Sequence, residues 1–106
     1  MQPAGHDRPV VIVAILEVRR AELAAFREFE RQAARVMREH HGELERTVVV
    51  DDGASDGVTE IHVVRFATEA DFQAYRTSPE LAAVAHLRER AVSGTNLYIG
   101  ADGPVY

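Results

Sequence analysis

Residues 10–18 form an almost unbroken apolar run, Val10-Val11-Ile12-Val13-Ala14-Ile15-Leu16-Glu17-Val18, rich in Val and Ile. Such a run reads as a strand that is covered on both faces, because a strand with one wet side would alternate polar residues with apolar ones. From Arg20 to His41 the spacing becomes helical. Leu23, Phe26, Phe29, Ala33, Val36 and Met37 share one face, and Glu28, Arg31, Arg35 and Arg38 fall mostly off it. Gly42 stands where a helix C′ residue is expected. Thr47, Val48, Val49 and Val50 mark a second strand over residues 44–51, and the acidic, glycine-containing stretch 51–57 has the composition of a loop.

A third strand over residues 58–66 alternates cleanly. Val58, Glu60, His62, Val64 and Phe66 lie on one face, with Thr59, Ile61, Val63 and Arg65 on the other, so each face carries an ionisable group. Thr68 and Asp71 resemble a capping box that starts a short helix over Phe72 and Tyr75. Ser78-Pro79 supplies a second start, so a break is expected near Thr77. The second of these helices is expected to end at Gly94, with a last strand over 95–99. The order is β-α-β-β-α-β, the ferredoxin-like α+β fold with a four-stranded antiparallel sheet and both helices on one face. The other face is left bare. With so apolar a first strand it needs a cover that 106 residues cannot supply, and a second copy of the sheet provides one. A homodimer through the open sheet face, closing into a dimeric α/β barrel, is therefore expected, with one domain over 10–100 and loose tails at 1–9 and 101–106.

Composition narrows the function. A net charge of −5, with twelve basic residues that are all Arg and are scattered among acidic ones, excludes a broad nucleic-acid or anionic-membrane footprint. Zero cysteines exclude disulfides, thiolate metal sites and a cysteine nucleophile. The longest apolar run is far short of a bilayer span and no signal sequence is evident, so a cytoplasmic location is expected.

The run 60–66, Thr68-Glu69-Ala70-Asp71-Phe72, Tyr75-Arg76-Thr77-Ser78-Pro79-Glu80, Leu87-Arg88-Glu89-Arg90-Ala91 and Leu97-Tyr98-Ile99-Gly100, together with His41-Gly42-Glu43-Leu44, resembles a domain-of-unknown-function family in the dimeric α/β-barrel superfamily, related to the antibiotic-biosynthesis monooxygenase-like proteins. The resemblance implies two ferredoxin-like sheets closed face to face, helices outside, and a cleft in each subunit. Its relatives include cofactor-free monooxygenases, muconolactone isomerases and haem-degrading proteins, and fold alone does not choose among them. The chain departs from the pattern at Arg65, where an acidic residue is expected, and in having no tryptophan.

The candidate chemistry centres on Arg88, which falls in the apolar helix face formed by Leu81, Val84, Ala85, Ala91 and Val92. It either pairs with a carboxylate (Glu17, Glu60 or Asp51) and locks helix to sheet, or clamps an anionic or carbonyl-bearing ligand. Glu60 and His62 share a strand face at a spacing of about 7 Å, too far for an unstrained hydrogen bond. They suit a core or interface role or an acid-base role, and on the barrel-closing face His62 would make the dimer pH-sensitive. Tyr75, near the break, either points its phenol into a cleft or packs with Phe72. His86 falls on the solvent side. His40 and His41 lack the spacing that binds zinc, and no metal or other cofactor is expected. The candidate catalytic residues are Arg88, His62 and Tyr75, and the candidate ligand-binding residues are Arg88, Tyr75, Glu60 and Phe72. Two function classes follow. In one, the helix–sheet cleft holds a small apolar or aromatic molecule and acts on it without a cofactor, as a monooxygenase, isomerase or cyclase with an aromatic or polyketide-like substrate; the other is a binding or structural dimer without chemistry, and a dimer that binds a small organic molecule is the reading favoured.

Overall fold

The computed structural model describes residues 8–106, so the expected N-terminal tail lies for the most part, His6 included, outside the described residues. Strand β1 (Val10–Arg19) leads through a single 3-10 turn into helix α1 (Leu23–Glu39), followed by β2 (Gly42–Val50) and β3 (Gly57–Phe66). Three short helices come next, α2 (Glu69–Arg76), α3 (Pro79–Ala82) and α4 (Ala85–Ala91), and β4 (Val92–Gly100) closes the sheet. The sheet order is β2-β3-β1-β4 and every neighbouring pair is antiparallel, which is the expected ferredoxin-like topology.

Register places the two halves of the alternation. Val10, Ile12, Leu16 and Val18 pair with Phe66, Val64, Glu60 and Val58, and all eight are buried beneath the helices. The apolar stripe of α1 covers them, with Phe26, Phe29, Ala33, Val36 and Met37 buried. On the opposite face Val13 and Ile15 pair with Val63 and Ile61, half-buried with no second layer over them. The bare apolar face read from β1 is thus real, whereas Glu60 and His62 lie on the covered one. In β2 an irregularity between Leu44 and Arg46 resets the pairing, so Val48 stands opposite Ile61 on the open face.

Capping explains the interrupted second crossover. The Thr68 hydroxyl accepts from the Asp71 N–H at 3.1 Å, and the Ser78 hydroxyl accepts from the Leu81 N–H at 3.3 Å with Pro79 at N1. Three points differ from the sequence reading. The segment after Ser78 is two helices rather than one, since Val84 has left helical geometry. It ends at Ala91, because the β-branched Val92 takes extended angles and begins pairing with Val18; Gly94 lies within β4 and caps nothing. At the end of α1 the left-handed residue is His41, at φ 59°, not Gly42. Gly42 answers to packing instead. A Cβ there would overlap the Phe66 ring and stand 2.7 Å from Met37 Cγ.

Residues 101–106 form neither helix nor strand and are exposed, and Asp102 is held by Arg65 at 2.8 Å. Among the described residues no helix is long and apolar enough to cross a membrane.

Candidate functional site

Between the covered sheet face and α1–α4 lies a cavity of about 440 Å³, open to solvent on one side. Its walls are mostly apolar, from Ile12 and Leu16 on β1 to Phe29 and Met37 on α1 and Phe72 on α2; the polar groups are Glu30, His62, Tyr75, Arg76, Arg88 and Thr95. A pocket of this size with a few convergent polar groups is the common form of a small-molecule site.

Arg88 projects into this cavity from α4. Its Nη2 donates to the Thr95 hydroxyl on β4 at 2.6 Å, and among the described residues no carboxylate stands within ion-pair distance. The three carboxylates considered as partners are otherwise engaged. Asp51 takes Arg20 at 2.7 Å, Glu17 accepts from the Thr59 hydroxyl at 2.7 Å, and Glu60 accepts from Arg27 Nη1. Of the two alternatives, the helix-to-sheet ion pair is absent among the described residues, and Arg88 faces the cavity.

Glu60 and His62 correct a second expectation. His62 Nε2 and Glu60 Oε1 are 2.9 Å apart, a direct hydrogen bond, because the side chains lean toward each other along β3 and close the backbone spacing. Glu60 is 1% exposed and does not line the cavity; it sits behind His62, fixed by Arg27. The pair faces the helices, so it cannot meet its symmetry mates across an open sheet face, and the idea of a His62-switched dimer falls. On the other side of the imidazole, Glu30 Oε2 stands 3.6 Å from Nδ1.

Tyr75 packs its ring on Phe66 at 5.3 Å between centroids, and among the described residues its hydroxyl has no hydrogen-bond partner. Burial, then the nearby Glu30, pushes the phenol well above its ordinary value, so it is a neutral donor at the cavity wall. Phe72 packs on Phe66 at 5.4 Å between centroids, and the Arg76 guanidinium lies over the Phe72 ring at 5.1 Å. Glu30 is raised by burial, opposed by His62 and Arg88. His86 is exposed, as expected. Among the described residues no group of three His, Asp or Glu side chains is placed to hold a metal ion.

The residues that sequence reasoning missed are Glu30, Thr95 and Arg27. Glu30 had a signal. It lies four residues after Phe26 and three before Ala33, within the buried stripe of α1, and a carboxylate in such a stripe is as anomalous as Arg88. Thr95 and Arg27 had none, since only the fold brings them to Arg88 and Glu60.

The fold is a ferredoxin-like α+β fold shared with solved structures of antibiotic-biosynthesis monooxygenase-like proteins and of proteins of unknown function. A protein of unknown function from Rhodopseudomonas palustris superposes with a TM-score of 0.76 at 12% identity, over 92% of this chain and 85% of that one. The cofactor-independent oxygenase SnoaB of Streptomyces nogalater gives 0.71 at 13% identity, over 92% and 96%. A candidate antibiotic biosynthesis monooxygenase from Caulobacter crescentus gives 0.70 at 13% identity, over 93% of each chain. No family model matches the chain. No curated protein matches it either. Identities this low establish the shared fold and nothing about substrate.

Proposed function

We propose that this protein is a cytoplasmic homodimer that binds a small, mostly apolar organic molecule in the helix–sheet cavity, with an anionic or carbonyl oxygen of the ligand held by Arg88 and Thr95. One observation carries the reading: a guanidinium that lines an apolar cavity and has a hydroxyl, rather than a carboxylate, beside it. Arg88 is half-buried, and Glu30 acts on it from the same cavity wall without an ion pair, so most of its N–H groups are left for a ligand oxygen or solvent. The bare apolar face around Val13, Ile15, Ile61 and Val63 supports the dimer.

The test is a thermal-shift and calorimetric screen of arene carboxylates and polycyclic phenols against the wild-type protein and Arg88→Leu. Saturable stabilisation of the wild type that Arg88→Leu loses is the expected result. A panel that leaves both proteins unmoved, or stabilises both equally, overturns it.

A second reading is a cofactor-independent enzyme of monooxygenase, isomerase or cyclase type. What favours it is the His62 imidazole, a proton acceptor, and the neutral Tyr75 hydroxyl, a hydrogen-bond donor, lining the same cavity as Arg88 in a fold shared with a cofactor-independent oxygenase.

A further inference from the structure

Two buried ionisable side chains, Glu60 and His62, and the half-buried Glu30 form a line of contacts that ligand binding alone does not need. Glu60 Oε2 accepts from Arg27 and its Oε1 accepts from His62 Nε2 at 2.9 Å. The other ring nitrogen, Nδ1, faces Glu30 Oε2 at 3.6 Å. Each side of the imidazole therefore meets a different carboxylate. His62 and Glu30 reach the cavity, and Glu60 does not.

The chemistry of the three groups is unequal. A carboxylate that takes a guanidinium N–H on one oxygen presents its other oxygen as an acceptor, so the 2.9 Å contact places the Nε2 hydrogen toward Glu60. That leaves Nδ1 as the ring position that gains or loses a proton, and Glu30, without an arginine in contact, as the group opposite it. One proton placed between them relieves the burial of the Glu30 carboxylate wherever it sits: on Nδ1 it makes an imidazolium between two carboxylates, and on Glu30 it makes a neutral carboxyl beside a neutral ring.

We propose that Glu30 and His62 share one exchangeable proton and are the acid-base group of the cavity, with Glu60, locked by Arg27, as the positioning residue that sets the His62 tautomer. This rests on the reading of the cavity as a ligand site, and it names the substrate class: an apolar molecule with an acidic O–H, a phenol or an enol. The O–H bond breaks, its proton goes to the deprotonated Glu30–His62 pair, and the electron pair stays on the ligand oxygen, beside the Arg88 guanidinium and the Thr95 hydroxyl. No oxidant is needed for this step. The other groups that act on the pair are Arg27 on α1, Tyr75 on α2, Arg88 on α4 and Glu60 on β3. The two arginines favour its deprotonated state and Glu60 its protonated one.

Heteronuclear NMR of the imidazole nitrogens, followed across a pH titration of the ligand-free protein, tests the shared proton. Nε2 is expected to keep its hydrogen throughout while Nδ1 alone titrates. Glu30→Gln, which removes the facing carboxylate and leaves no charge stranded, should weaken protonation of Nδ1 by about tenfold, one unit in midpoint. Glu60→Gln should mix the two tautomers, and if that variant does not fold, Arg27→Gln gives the same readout by loosening Glu60. A His62 titration identical in wild type and Glu30→Gln, or a hydrogen on Nδ1 alone, overturns the proposal. The ligand step is read with a nitronaphthol, whose naphtholate is coloured. Wild type should bind it as the naphtholate below its solution midpoint, and Glu30→Gln should bind it uncoloured. Failure of the nitronaphthol to bind at all overturns the substrate class, whereas the imidazole spectra need no ligand and decide the shared proton by themselves.

Discussion

The Arg88 guanidinium and the Thr95 hydroxyl meet at 2.6 Å, joining α4 to β4 on the wall of the cavity. The hydrogen bond satisfies one of the five guanidinium N–H groups and none of its charge. Arg88 is thus held in position without being neutralised, which distinguishes it from Arg20, Arg27 and Arg65, each of which ends on a carboxylate.

Replacing Arg88 by Leu should therefore leave the ligand-free protein as stable as wild type or slightly more so, within about 1 kcal/mol, because no ion pair is broken and an apolar side chain suits the wall. Chemical denaturation measures this. A loss of several kcal/mol would mean that Arg88 is a structural lock after all.

Gly42 has the opposite character. It is the site where a single methyl has no room, because it would overlap the fully buried Phe66 ring and crowd Met37, and Phe66 is itself wedged against Phe72 and Tyr75. Gly42→Ala should lower stability by about 1–3 kcal/mol through overpacking, despite the better strand propensity of alanine. A denaturation midpoint equal to wild type would show that the ring has somewhere to move.

Acid stability should depend on a loop anchor. Arg20 bonds both oxygens of Asp51, at 3.1 and 2.7 Å, and with the Gly53 N–H holds its carboxyl down at about 2. A carboxyl depressed in the folded state contributes stability that is complete above its unfolded value, about pH 4, and is lost as pH falls through about 2. Arg20→Gln should then make stability less sensitive to pH across that window, as read from denaturation midpoints taken through it. An acid limb as steep as that of wild type would contradict the assignment.

If two sheets close face to face, a charge at the centre of the open face should separate them. Val63 pairs with Val13 there, beside the Ile15–Ile61 pair. Val63→Glu should give a monomer by light scattering with an unchanged circular dichroism spectrum, since the covered face, which holds the core and the cavity, is untouched. A dimer that survives the substitution would point to another interface.

The parts of this molecule that were legible in the sequence are those where one local rule acts alone. The nearly continuous apolar run of β1, the stripe from Phe26 to Met37, and the caps at Thr68 and Ser78 all stand where periodicity and cap chemistry put them. Tertiary contacts overrode local rules elsewhere. Gly42 reads as a helix cap, but the Phe66 ring explains it better; Gly94 reads as a helix stop, but pairing of Val92 with Val18 ends the helix earlier. In the cavity, Arg88 was legible as a charge in an apolar stripe, and Glu30 carried the same signal. The joining of Glu60 to His62 was not, because backbone spacing gives the distance between Cα atoms and the side chains close what remains.

The roof of the cavity consists of three helices of eight, four and seven residues in place of one continuous rod. Each is held by its own terminal bonds, and α3 buries no residue fully. A rod would have to melt or swing as a unit, at a cost set by its whole length. If the cavity takes a ligand, segments this short can open separately, at the cost of one turn's contacts rather than a rod's, while α1 and the sheet keep their hydrogen bonds. Access to the cavity and the stability of the domain would then rest on different residues, those of α2–α4 for the first and those of α1 and the sheet for the second.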